Sequence, residues 1–362
     1  MRPRYRALHP DERPECLQLW TQVFTPGTDY FVRYFDDPLW KPEYTRVCEA
    51  DGRLVAAVQI VRRAVRLNGH RVWMAGIANV ATLPDYRGHG FASQLMRDAH
   101  EVIDSEDFLF GLLFTGIHDF YARLGWETFN LPLPVSVPQP MPLGADWRFR
   151  AAEPEDLPFV RRWHAHTYAN HPFTVIRDES YWQVWLRWGD ERWRRSFYIA
   201  ECAGEPLGYF AIETHSHRAE DGAQRVKAIS LTEWGADTLE PTLVEAIIAF
   251  TNMMALQAGA EHVRWFVSLP DVERWLRPRL TSLHFTPQRH PMVRVGHPER
   301  LWAAFEQLSG APTPAEIETL SAAQALRLLF GLYSPLDMAE ISDALKKRFP
   351  PRPALFLPAD SF

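Results

Sequence analysis

Cysteine is scarce, with three in 362 residues. Cys16, Cys48 and Cys202 stand far apart, odd in number and without metal-ligand spacing, which argues against a disulfide framework and against a zinc site. Buried free thiols are the expectation. Runs of basic residues are absent and the formal net charge is −6, so nothing attracts a polyphosphate backbone and no nucleic-acid partner is expected. No apolar run approaches the ~20 residues that a bilayer span requires. The opening Met-Arg-Pro-Arg-Tyr-Arg leads into polar sequence and not into an apolar signal core. A cytoplasmic protein without membrane attachment is expected.

What is present is enough for more than one core. A chain of this length with 46% hydrophobic residues reads as two or three packed units. Prolines crowd from Pro132 to Pro142, where neither helix nor sheet is expected to run uninterrupted, so residues 132–146 read as a connector. A weak internal repeat flanks it. Tyr5-Arg6-Ala7-Leu8-His9-Pro10-Asp11-Glu12-Arg13-Pro14 is echoed by Phe149-Arg150-Ala151-Ala152-Glu153-Pro154-Glu155-Asp156-Leu157-Pro158, each a short strand meeting an acidic, proline-bearing helix start. Downstream, Asp51-Gly52 and Ala203-Gly204 each separate β-rich segments as hairpin turns do. In the first half, strands are expected at 46–50, 54–65 and 72–82, with a turn at Asn68-Gly69.

The most informative stretch is Val80-Ala81-Thr82-Leu83-Pro84-Asp85-Tyr86-Arg87-Gly88-His89-Gly90-Phe91-Ala92. An apolar strand runs through a glycine-punctuated turn into a helix whose Leu95, Met96, Ala99, Val102 and Ile103 form one apolar face. Small residues at such a junction leave backbone N–H groups free to approach an anion at the positive helix end. Arg87-x-x-Gly90-x-Ala92 resembles the coenzyme A loop of the GNAT N-acetyltransferase superfamily. An apolar strand at Phe108–Phe114 and then Tyr121-Ala122-Arg123-Leu124-Gly125-Trp126 resemble that family's later marks.

The resemblance implies an α/β (α+β) fold of two tandem GNAT-like domains with mixed central sheets. Residues 1–131 would be the catalytic domain and 147–297 a second GNAT-like domain. That second half has no such loop: Glu233, Asp237 and Glu240 at its strand-to-helix junction, ahead of a helix at Pro241–Leu256, would repel a pyrophosphate. Residues 298–362 are too short for a large core of their own and read as a helical or sterol-carrier-like extension packed on its neighbours. The order is similar to the Eis-like acetyltransferases, with a shortened last region.

For the chemistry, the resemblance implies acetyl-CoA as co-substrate, no metal, and direct attack by a small-molecule or peptide amine in a ternary complex. Val80, Ala81, Thr82, Arg87, Gly88, His89, Gly90, Phe91 and Ala92 would bind the cofactor, with the Val80 and Thr82 backbones meeting the pantetheine arm and thioester oxygen. Tyr121 would be the general acid, since a phenol with an ordinary pKa of about 10 stays protonated at neutral pH. The α-carboxyl of Phe362 would be the base, as at the chain terminus of Eis-like enzymes. His118 and Asp119 compete for that role; Glu233 and the His215/His217 pair are weaker. Aromatics from Trp20 to Trp40 and Asp29, Asp36 and Asp37 are candidates for an acceptor pocket, or for packing and caps. Two other readings stay open: a non-catalytic acyl-CoA sensor or assembly module, and a transferase similar to mycothiol synthase. The acceptor's identity and any homo-oligomer are also open.

Overall fold

Two hairpins repeat one backbone device. Asp51 and Gly52 have φ of +54° and +76°, Ala203 and Gly204 +53° and +88°, so both pairs adopt the left-handed conformation that a two-residue turn between right-twisted strands requires. The computed structural model describes residues 2–67, 69–188, 196–218, 222–288, 290–332, 342–350 and 352–360. The first half contains β1 (Arg4–Ala7), α1 (Arg13–Val23), α2 (Thr28–Phe35), β2 (Thr45–Ala50), β3 (Arg53–Leu67) and β4 (His70–Thr82). It continues with α3 (Phe91–Ser105), β5 (Phe108–Phe114), α4 (His118–Ala122) and β6 (Glu127–Thr128). The first half ends with β7 (Leu131–Ser136), and the second half contains β8 (Trp147–Ala151), α5 (Leu157–Thr167), α6 (Glu179–Trp188), β9 (Phe197–Cys202), β10 (Glu205–Arg218) and β11 (Gln224–Gly235). After these come α7 (Pro241–Gln257), β12 (His262–Trp265), β13 (His284–Gln288) and β14 (Pro291–Arg294).

The strands form two seven-stranded mixed sheets, ordered β1-β2-β3-β4-β5-β14-β6 and β13-β7-β12-β11-β10-β9-β8. Within each, one neighbouring pair is parallel, β4 with β5 and β11 with β12. The halves exchange strands. β7, from the end of the first half, pairs with β12 of the second sheet, and β14, from the end of the second half, pairs with β5 and β6 of the first.

The connector expected at 132–146 is corrected over its first part, because Pro132 and Pro134 lie inside β7. Two residues apart, their missing N–H groups fall on one strand edge, and β12 covers that edge only at Val135 and Ser136. The opposite edge pairs with β13 from Leu131 to Val135.

The sequence repeat has a structural counterpart in an arginine clamp. Arg6 reaches both carboxylate oxygens of Glu12 at 2.7 Å and a Glu49 oxygen at 3.0 Å. Arg150 reaches both oxygens of Asp156 at 2.6 and 2.8 Å and Glu201 at 2.7 Å. In each copy the first strand is thus tied to the helix start and to the neighbouring strand. Glu12 and Asp156 are both held below their usual carboxyl range, chiefly by these arginine hydrogen bonds.

Beyond β14 come α8 (Pro298–Ser309), α9 (Ala315–Glu318), α10 (Ala322–Phe330) and α11 (Asp343–Arg348), with no strand among the described residues. Leu301, Phe305, Leu326, Leu329 and Phe330 bury themselves against Leu109, Phe110 and Leu112 of β5. That explains why β5 is buried from Phe108 to Leu113: the helices α1 to α3 share one core with its sheet and the carboxy-terminal helices another. No helix among the described residues is long and apolar enough to cross a membrane.

A buried ionic network fastens the last described residues to the second half. Arg177 donates to both oxygens of Glu233 at 3.0 and 2.8 Å and to Asp360 at 2.8 and 3.1 Å. Tyr209 and Tyr181 donate their hydroxyls to Glu233 and Asp360 at 2.6 and 3.0 Å. Burial alone would raise the Glu233 carboxyl, but Arg177 and His164 hold it well below its ordinary range. Glu233 is 0% exposed and Asp360 2%, so no water offsets the loss of a partner. Arg177→Met is expected to cost about 3–5 kcal/mol by leaving two unpaired buried carboxylates, read from chemical denaturation. Because the folded Glu233 pKa is depressed, the stability this group adds is present above about pH 4.3 and lost as pH falls below it. An unchanged denaturation midpoint would contradict this assignment.

Candidate active site

β4 keeps β3 as a neighbour up to Thr82, but its ladder with β5 stops at Ile77 and Leu113. The five residues after Ile77 therefore present an unpaired backbone edge on the β5 side. A bulge accompanies the parting: register runs from Gln59↔Ala78 to Ala57↔Ala81, so Asn79 and Val80 together oppose Val58. Asn79 adopts φ +50°, a conformation asparagine tolerates better than most side chains. Trp20 donates its indole N–H to the Asn79 carbonyl at 3.1 Å, pinning the bulge to α1.

The chain then turns through Pro84–Tyr86 into Arg87, Gly88, His89 and Gly90. Gly88 and Gly90 have φ of +82° and +77°, and a Cβ at either would meet open space within 4 Å. The glycines are thus required by conformation and leave room above the backbone. Among the described residues nothing accepts the N–H of Gly88, His89 or Gly90, and Gly90 brings no side-chain cap to α3. No acidic side chain stands in the first turn of α3. A row of unpaired donors at a positive helix end is suited to an anion.

A cleft of about 410 Å³ lies over this turn, lined by Val80, Thr82, Arg87, Gly88, Gly90, Phe91, Ala92 and, from the other wall, Ile117, Phe120 and Tyr121. Seven of the expected cofactor residues and the expected acid therefore share one cavity. Ala81 and His89 do not line it. Ala81 turns its side chain into the core, as alternation along a strand demands, and His89 stacks on Phe91 at 5.6 Å.

Tyr121 stands on α4, its ring edge-on to Phe120 at 4.9 Å. Burial pushes its phenol up to about 12, so it stays protonated throughout the neutral range. The Leu-Gly-Trp that follows has a packing reason. Trp126 lies over Gly111 of β5, where an added Cβ would come within 2.7 Å of the indole, and it donates to His100 at 3.0 Å.

Other sequence candidates separate. Phe362 lies outside the described residues. His118 and Asp119 start α4, where Asp119 is exposed. Glu233 belongs to the buried Arg177 network and not to the cleft, a correction caused by its position on β11, where it meets His164 of α5 and Arg177. His215 bonds Ser230 at 2.9 Å, and among the described residues no three metal-capable side chains cluster. Asp37 is buried in an ion pair with Arg63, whereas Asp29 and Asp36 are exposed. Most amino-terminal aromatics pack on one another, Trp20 with Phe35 at 5.4 Å and with Phe31 at 5.7 Å.

In the second half the matching corner is occupied by the chain itself. Thr167 donates to the Ala236 carbonyl and accepts from the Ala236 N–H, and the Tyr168 hydroxyl accepts from the Trp234 N–H. The backbone groups that lie open after β4 are engaged here by α5 and the residue after it.

Residues 4–129 match the family model described as "Acetyltransferase (GNAT) domain". No curated protein matches the sequence. Among solved structures, the chain is similar to a probable N-acyltransferase of unknown function from Enterococcus faecalis, at TM-score 0.61 and 16% identity over 83% of this chain and 75% of that one. A GCN5-related N-acetyltransferase from Anabaena variabilis gives TM-score 0.60 and 19% identity over 83% and 74%. Eis1 from Mycobacterium abscessus gives 0.52 and 14% over 84% and 75%. At these identities the solved structures speak for the fold, while the family match covers the half that holds the cleft. Residues 4–129 are therefore a GNAT acetyltransferase domain.

Proposed function

We propose that this protein transfers the acetyl group of acetyl-CoA to a primary amine by direct attack in a ternary complex. The observation that carries this reading is the meeting, in one cleft, of unpaired amides at Gly88–Gly90, the open edge of β4 and the buried phenol of Tyr121. The diphosphate of the cofactor would sit on the N–H groups at the start of α3, beside Arg87. Its pantetheine arm would extend along β4, with Val80 and Thr82 supplying backbone groups. The amine attacks the thioester carbonyl carbon, the C–S bond breaks, and Tyr121 gives its proton to the departing thiolate. The proton lost by the amine passes to solvent water. The loopless second half has a supporting role in this scheme and binds no cofactor.

Two variants test the placement. Gly90→Glu puts a carboxylate and a strained backbone against the diphosphate, so acetyl-CoA affinity measured by calorimetry should weaken at least about tenfold, or 1.4 kcal/mol. Unchanged affinity in a folded variant would refute the cradle. Tyr121→Phe should slow thiol release from acetyl-CoA with a panel of primary amines by about 10²-fold or more, the usual worth of a positioned acid, while cofactor affinity holds. Full turnover in that variant would remove Tyr121 from the mechanism.

A further inference from the structure

Asn79 holds a costly conformation with nothing of its own to keep it. Its φ is +50°, in the left-handed region that disfavours any residue with a Cβ. Asparagine visits that region most readily when its side chain bonds to nearby backbone, yet the Asn79 Nδ2 is buried and has no partner among the described residues. A strained residue persists only where its surroundings over-determine it, and such residues cluster at functional sites.

What determines it here is one side chain. Trp20 of α1 donates its indole N–H to the Asn79 carbonyl at 3.1 Å, and among the described residues no other side chain hydrogen-bonds the backbone of Asn79 or Val80. Trp20 is 0% exposed and has little room to shift. Its ring stacks on Phe35 at 5.4 Å and meets Phe31 and Tyr34 at 5.7 and 6.2 Å, all three from α2.

The cage is fastened in turn. Asp37, just past the end of α2, forms a buried ion pair with Arg63 of β3 and accepts from the Leu39 N–H at 2.9 Å. The Arg63 guanidinium lies 5.0 Å over the ring of Tyr181 on α6, so the second half backs this anchor. The indole N–H is therefore fixed relative to β3, the strand with which β4 stays paired through Thr82. Trp20 does not line the cleft, although Val23, one turn further along α1, does.

We propose that Trp20 is a positioning residue for acetyl transfer: through its N–H it fixes the Asn79–Val80 bulge, and so sets where the open edge of β4 holds the thioester against the Tyr121 hydroxyl. This rests on the reading of the cleft as the acetyl-CoA site. The diphosphate, seated at the glycine turn, is held independently of this pin. Loss of the pin therefore falls on the geometry of the reacting atoms, where a misplacement of about 1 Å is worth about 10²-fold in rate.

The test is Trp20→Phe, which keeps a ring in the α2 cage and removes the N–H. With a panel of primary amines, kcat for thiol release should fall at least about tenfold. Acetyl-CoA affinity by calorimetry should stay within about twofold of the wild type, the mark of an interaction that acts on the chemical step. Adding Asn79→Gly should return kcat to within about threefold of the wild type, because glycine adopts the left-handed backbone unaided. A packing defect in the core would not be repaired by that change. Should Trp20→Phe fail to fold, Asn79→Val opposes the same backbone with a β-branched side chain and should lower kcat while cofactor affinity holds. Undiminished kcat in either folded variant, or a loss in Trp20→Phe that Asn79→Gly leaves unrepaired, would overturn the proposal and leave the acetyl-CoA reading standing. A wild type that neither binds acetyl-CoA nor releases thiol from it would overturn that reading and the proposal with it.

Discussion

The parting of β4 from β5 after Ile77 is the constraint on which the rest depends. A parallel pair that stayed zipped to its end would satisfy its own backbone groups and leave no edge for a ligand. Here the Asn79–Val80 bulge and the Trp20 bond to the Asn79 carbonyl bend β4 away, while β3 keeps it in the sheet through Thr82. The glycine turn then begins where the open edge ends. Groove, glycine turn and phenol line one cleft because one strand pair separates at a fixed residue.

Strand exchange gives that separation a rigid frame. β14 comes from the far end of the second half, yet it continues the first sheet beside β5, while β7 does the reverse. Phe129, Phe173, Phe330 and Phe356, drawn from both halves and the last region, then share one core with Phe110. The Arg177 network adds a polar fastening by joining Glu233 of the second sheet to Asp360 near the chain's end. Such a network contributes little net stability when intact but makes breaking it costly, so it favours one arrangement of the tail over others.

Much of this was legible in residue patterns. Turns at Asp51-Gly52 and Ala203-Gly204, the strand at Phe108–Phe114 and the glycine-punctuated entry to α3 are local events, governed by turn chemistry and periodicity. The repeat around Arg6 and Arg150 was visible because a salt clamp needs the same residues at the same spacing. Strand exchange was not, since pairing between distant segments leaves no local mark, and the prolines of β7 argued against a strand at all. The Asn79 bulge carries no glycine to announce it. Glu233 looked like a candidate for chemistry because its partners Arg177 and His164 lie far away in sequence.

The most direct test of the central claim is a crystal structure of the protein with acetyl-CoA bound. The account predicts diphosphate oxygens within hydrogen-bonding distance of the N–H groups between Gly88 and Ala92, and the thioester between the open edge of β4 and the Tyr121 hydroxyl. A cofactor lodged outside this cleft, or with its diphosphate away from that turn, would contradict it.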